Sequence, residues 1–122
     1  RVLLADFTSV AAAGATVADI ISAGIIPGGM EMMDNLSINA VEDVVATQCY
    51  PRDAEAILLV EVDGLEVEAE TNTQRVRQIC LQNGARNVTV ATDSEERLKL
   101  WKGRKAAFAA MGKISPDYYV QD

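Results

Sequence analysis

Arg104 is the residue whose surroundings most invite chemistry. On a helix it lies beyond Trp101 and before Phe108, about 60° and 40° around the axis from those two rings. That places a guanidinium on the apolar face of its own helix, which is costly unless an anion pairs with it. The planar fork of arginine is also the side chain best shaped to grip a carboxylate. The plainer alternative is that Arg104 reaches water along its aliphatic stem, or pairs with an acid of this chain. Lys102, Lys105 and Lys113 read as solvated charges around it.

The remaining chemistry-bearing groups are easier to assign to structure. The sequence contains no His, which removes a Ser-His-Asp triad, a Cys-His pair and most catalytic zinc sites. Cys49 and Cys80 show no CxxC spacing, and Cys80 falls in an apolar helical stretch where an inert buried thiol is expected. Pro27-Gly28-Gly29 follows a helix and precedes a strand, whereas a phosphate cradle needs a helix N-terminus after its glycines. A tight turn is the better reading. Glu61, Asp63, Glu66, Glu68 and Glu70 crowd one strand end and helix start, but DGLEVEAE lacks the ligand spacing of a calcium loop. Solvated acids favoured by the helix dipole account for them. Glu31 and Asp34 invite an acid–base pair by residue type, yet nothing local tunes them for proton transfer.

These groups must be positioned by a single domain, residues 1–122, since 122 residues allow little more. With 49% hydrophobic and 24% charged residues, disorder is excluded. The balance of 11 basic against 18 acidic residues gives −7 and argues against a nucleic-acid partner. There is no apolar run of the roughly 18 residues that a membrane span needs, and no signal peptide. A reduced, cytoplasmic setting is the default expectation. The start at Arg1 instead of Met leads us to expect a piece of a longer protein.

Hydrophobic periodicity then lays out the elements. RVLLADF is apolar enough for a strand covered on both sides. Thr8 or Ser9 can cap a helix whose apolar face is Val10, Ala13, Val17, Ile20 and Ile21, ended by Gly24. A second strand is expected before residue 35, with Met30, Met32 and Asp34 on one side and Glu31 and Met33 on the other. A short helix from Asn35 or Ser37 to about Val45 follows, then a loop over 46–55. The pattern predicts a third strand over 56–63 and a helix over 65–83, with Val76, Ile79, Cys80 and Leu65 or Val67 facing inward. Asn83-Gly84 stops that helix, and Arg86–Ala91 makes a fourth strand. A last helix from Asp93 or Ser94 to about Ala110 precedes an irregular tail, GKISPDYYVQD. The order β-α-β, short helix, β-α-β predicts an α+β ferredoxin-like plait with an additional C-terminal helix. A doubly wound parallel sheet would need a glycine-rich turn after the first strand, which DFTSVAAAG lacks.

The segments IISAGIIPGGMEMMDNLSINAVED, AILLVEVDG and LWKGRKAAFAAMGKISPDYYVQD also carry a resemblance. They look like the C-terminal cap domain of FAD-linked oxidases of the vanillyl-alcohol-oxidase type, within the branch that includes bacterial glycolate oxidase flavin subunits. The resemblance implies an FAD-binding domain elsewhere in a longer protein, with no cofactor held by this piece. It implies oxidation of a 2-hydroxy acid, glycolate above all, to the 2-oxo acid. It also implies partnership with a second flavin-type subunit and an iron–sulfur subunit, which would bring the protein to the inner face of the membrane. Trp101-Lys102-Gly103-Arg104 is similar to the Trp-x-x-Arg helix whose Arg grips the substrate carboxylate in relatives acting on larger 2-hydroxy acids. Those relatives place a Thr where this chain has Phe108, and a Lys in the segment matching Tyr119 or Val120. Both departures remove polar contacts, as a smaller substrate would require, and Phe108 and Tyr119 become further candidate substrate contacts. The histidines and acid that act near the flavin in those relatives have no counterpart in this sequence.

On this reading the piece is inactive by itself. The competing reading is a self-standing ferredoxin-like module that binds a small ligand or regulates by dimerising. An independent enzyme is disfavoured by the missing His and the missing nucleotide loop.

Overall fold

The computed structural model describes residues 1–45, 50–91 and 119–121, together with 95, 97, 98 and 100. The element order is β1 (Val2–Phe7), α1 (Val10–Ser22), β2 (Gly29–Asp34), α2 (Asn35–Val45), β3 (Ala56–Glu61), α3 (Glu66–Gln82), β4 (Asn87–Ala91) and β5 (Tyr119–Gln121). The strands form one sheet in the order β4-β1-β3-β2-β5, and each neighbouring pair is antiparallel. In each β-α-β unit the returning strand leaves room for a strand of the other unit. This is the split arrangement of the ferredoxin-like plait, so the expected α+β fold is the observed one.

All six residues of β1 are buried, and so are the first five of β3. A strand this apolar needs cover on both faces. On one face Leu3, Ala5, Phe7, Met30, Leu58 and Val60 pack against Ala13, Val17 and Ile20 of α1 and Ala69, Val76 and Cys80 of α3. On the other, Val2, Leu4, Met33, Ile57 and Leu59 meet Ile38 and Val41 of α2, with Tyr50, Ala54 and Leu100. The short inserted helix is therefore the lid of a second core layer.

Local chemistry sets the helix ends. The Ser9 hydroxyl accepts a hydrogen bond from the Ala12 N–H at 3.0 Å, which caps α1. Gly24 and Gly84, with φ of 79° and 91°, follow the ends of α1 and α3 in a conformation that glycine tolerates. The polar middle of α3 does not break it. The Thr71 and Thr73 hydroxyls donate to the Val67 and Ala69 carbonyls at 3.0 and 2.6 Å, one turn back.

On both α1 and α3 the inward-facing expectation is corrected in part. The buried stripe of α1 is Ala13, Thr16, Val17 and Ile20; Val10 and Ile21 are half exposed. Ile21 lies about 100° around the axis from Ile20, off the packed stripe. On α3 the buried stripe is Ala69, Thr73, Val76 and Cys80, a helical spacing that excludes Val67, about 200° from Ala69. Leu65 is the extended N-cap residue of α3 and also points outward. The tail differs as well, because 119–121 form β5 and pair with Met30–Met32 of β2. Without that strand, the β2 edge would present unpaired backbone groups. The last helix, expected over 93–110, falls for the most part outside the described residues, as does Cys49. Among the described residues no helix is long and apolar enough to cross a membrane.

The two neighbouring isoleucines of α1 test the packing. Ile20 is fully buried, so Ile20→Ala should cost about 2–5 kcal/mol in urea unfolding. Ile21→Ala should cost less than about 1 kcal/mol. Equal losses would contradict the assigned helix face.

Candidate functional site

Arg104 and Phe108 lie outside the described residues. Tyr119 is placed through its backbone, opposite Met32 at the outer edge of the sheet. The residue leading into Trp101 is anchored firmly. Leu100 is buried in the core layer beneath α2, and its carbonyl accepts a hydrogen bond from the Tyr50 hydroxyl at 3.0 Å. Tyr50 is itself only 4% exposed, and its backbone N–H donates to the Glu42 carboxylate at 3.3 Å. The Asn35 side-chain amide donates to the Arg52 and Ala54 carbonyls at 2.8 and 2.7 Å. Together these bonds tie α2, the 50–54 segment and residue 100 into one unit. Sequence reasoning missed Tyr50. Its only signal was an aromatic beside Pro51 in the most loop-like stretch.

Glu31 and Asp34, disfavoured from the sequence as an acid–base pair, lie on opposite sides of β2. Asp34 accepts from the Ser37 N–H and hydroxyl at 2.9 and 2.7 Å, which makes it a helix-start cap for α2. Glu31 lies on the opposite side of β2, fully buried, with Leu59 and Val120 as its cross-strand neighbours. It thus shares the α2 layer with Leu100.

A second charged group sits on the same face of the sheet, toward its β4 edge. The Arg86 guanidinium bonds Asp6 through Nε at 3.1 Å and both Asp53 oxygens at 3.1 Å. Asp6 is 7% exposed, so this cation balances a nearly buried acid. The two carboxylates raise the Arg86 pKa further above its ordinary range, and Arg86 lowers that of Asp53. An open cleft of about 370 Å³ beside them is lined by Leu4, Asp6, Tyr50, Asn87 and Thr89 among others. Cys80 is desolvated among apolar side chains, which pushes its thiol up to about 12, away from nucleophilic chemistry.

The described residues do not fit a dinucleotide such as FAD. The glycine-rich turn lies between α1 and β2, and the Gly28 N–H already donates to the Glu61 carbonyl at 2.7 Å. The cleft near Gly24 is lined by Asp63 and Glu68, acids that would repel a pyrophosphate. Among the described residues no group of three or more His, Cys, Asp or Glu is placed to hold a metal ion.

Comparison with known proteins agrees with the resemblance. Residues 1–122 match the family described as FAD linked oxidases, C-terminal domain. The chain is 57% identical over 122 residues to glycolate oxidase subunit GlcD of Escherichia coli (strain K12), covering all of this chain and 24% of that protein. It is 34% identical to the subunit of the same name from Bacillus subtilis (strain 168), again over the whole chain and 26% of that protein. The chain thus spans about a quarter of the length of these relatives. Among solved structures, an alkyldihydroxyacetonephosphate synthase is similar with a TM-score of 0.57 at 14% identity, over 90% of this chain and 22% of that one. A second crystal form of that enzyme gives 0.57 at 10% identity, over 91% and 24%. At those identities the likeness speaks for the fold alone.

Three measurements check this geometry. Tyr50→Phe should lower stability by about 0.5–1.5 kcal/mol in urea unfolding, the usual worth of one buried hydrogen bond. The Asp53–Arg86 pair holds Asp53 below the ordinary 3.8, so its stabilisation is full above that pH and lost as pH falls through the lowered value. Wild type should therefore exceed Asp53→Asn slightly in urea midpoint at neutral pH, and the gap should close in strong acid. In a Cys49→Ser background, alkylation of Cys80 at mildly alkaline pH should follow unfolding; rapid labelling of that native protein would contradict its burial.

Proposed function

Because the chain belongs to the family of FAD linked oxidase C-terminal domains, we propose that it is the substrate-side domain of a flavin-dependent oxidoreductase acting on a small 2-hydroxy acid, with glycolate as the first candidate. The observation that carries this reading is the match along the whole chain to two proteins named as glycolate oxidase subunits. The flavin is held by another part of the longer protein, in keeping with the poor fit of these residues to a dinucleotide. This domain's share of the work is binding and aiming.

Arg104 is the residue proposed to hold the substrate. Its paired N–H groups match the two oxygens of a carboxylate, and fixing that end orients the carbon that bears the hydroxyl. Phe108 and Tyr119 line the same pocket in this reading. They offer fewer polar contacts than the Thr and Lys of relatives that act on larger acids. A two-carbon hydroxy acid needs no such contacts beyond its carboxylate and hydroxyl. The anchoring of Leu100 by Tyr50 supports the reading, since it fixes the residue that leads into Trp101. Partnership with a second flavin-type subunit and an iron–sulfur subunit belongs to the same proposal, drawing on the word subunit in both relatives' names.

The test uses the full-length protein and a panel of 2-hydroxy acids. Arg104→Ala should raise KM for glycolate about 10- to 100-fold, as expected for loss of one charged hydrogen bond. Arg104→Lys should recover part of that loss. Unchanged KM and kcat in a correctly folded, flavin-loaded Arg104→Ala protein would overturn the assignment.

A further inference from the structure

Glu31 is a buried charged group that the proposed function leaves unused. It is fully buried within β2, and its cross-strand neighbours are Leu59 and Val120. Strand alternation turns it, with Met33, to the face covered by α2, Tyr50 and Leu100. The sheet around it on that face, Met33, Ile57 and Leu59, is apolar. A carboxylate in such surroundings is kept only against a cation or several donors. Glu42 of α2 is a second nearly buried acid in this layer, and its carboxylate accepts from the Tyr50 N–H at 3.3 Å.

The cations among the described residues are engaged elsewhere. Arg1 pairs with Glu70 of α3, Arg52 with Asp43, and Arg86 with Asp6 and Asp53. Arg75 and Arg77 are exposed on α3, which covers the opposite face of the sheet, and Arg97 is exposed too. The other cations of the sequence are Lys99, Lys102, Arg104, Lys105 and Lys113. All follow or adjoin Leu100, which is buried in the layer that holds Glu31. Leu98 and Leu100 have helical backbone. On a helix Arg104 comes one turn after Leu100 and about 40° around the axis from it, whereas Lys99, Lys102 and Lys105 stand about 100° or more away. Lys113 falls past the expected helix end near Ala110. Arg104 lies outside the described residues; charge balance and its spacing from Leu100 single it out.

We propose that Glu31 is the buried counter-charge of Arg104 and a positioning residue for substrate binding. It takes one edge of the guanidinium and leaves another edge for the substrate carboxylate. Arginine carries five N–H donors in a rigid fork, enough for both partners. A carboxylate held by the sheet fixes the plane of that fork before substrate arrives, so little ordering is left to the binding step. The inference rests on the reading of Arg104 as the residue that grips the substrate, and it adds what holds Arg104 in place.

Charge-neutralising variants of the full-length protein test it. Glu31→Gln and Arg104→Gln each strand the opposite charge in the core, whereas the double variant strands none. Each single variant should therefore lower Tm, and the double variant should melt no lower than the less stable single one. Losses that simply add overturn the pair. Coupling of Arg104→Gln to Glu42→Gln in place of Glu31→Gln also overturns it. If Glu31→Gln does not accumulate as folded protein, the soluble yield of the double variant decides: recovery supports the pair and continued loss overturns it. Kinetics read the positioning role. Glu31→Gln should raise KM for glycolate about 3- to 10-fold, and Glu31→Asp should recover part of that loss. In the Arg104→Ala background Glu31→Gln should change KM less than about twofold. A KM that Arg104→Ala raises and Glu31→Gln leaves unchanged overturns the positioning role alone. A KM unmoved by Arg104→Ala defeats the functional reading, while coupled Tm values would still establish the pair.

Discussion

Burial of both faces of β1 and β3 is the constraint on which the rest of the structure depends. Two adjacent central strands with apolar side chains on each side cannot sit at a surface. One face is covered by α1 and α3, the expected partners in a split β-α-β plait. The other requires α2, the 50–54 segment and Leu100. The insertion between β2 and β3 is thus part of the core and cannot be regarded as a loop decorated with a helix.

That second layer also determines how polar groups are distributed. Tyr50 enters it with its hydroxyl committed to the Leu100 carbonyl, and Glu31 is carried into it by strand alternation. Asp6 faces the same side of β1 as Leu4, and Arg86, the residue just before β4, reaches it there. A buried carboxylate demands such compensation. Leu100, the residue before Trp101, is packed in this layer too.

Much of the fold was legible in the residues. The alternation in GMEMMD correctly sorted Met30 and Met32 from Glu31 and Met33, since strand faces follow a strict period of two. Ser9, Gly24 and Gly84 marked helix ends because caps are local chemistry. Val10, Ile21, Leu65 and Val67 were misread for one shared reason. Apolar character says that a side chain gains from burial, while only the packed partner decides which of several apolar residues is covered. The candidate site was legible only as a motif, since Arg104 and Phe108 could be named from spacing and resemblance but not placed.

The sequence by itself determined the strand and helix periods and the caps, because each is set by residues within a turn or two of one another. Tertiary structure alone decided that α2 and the 50–54 segment cover a second core layer, that the YVQ segment closes the β2 edge, and that Tyr50 holds Leu100. Those contacts join residues far apart in the chain, and their worth depends on which surfaces are left uncovered once the central strands are buried.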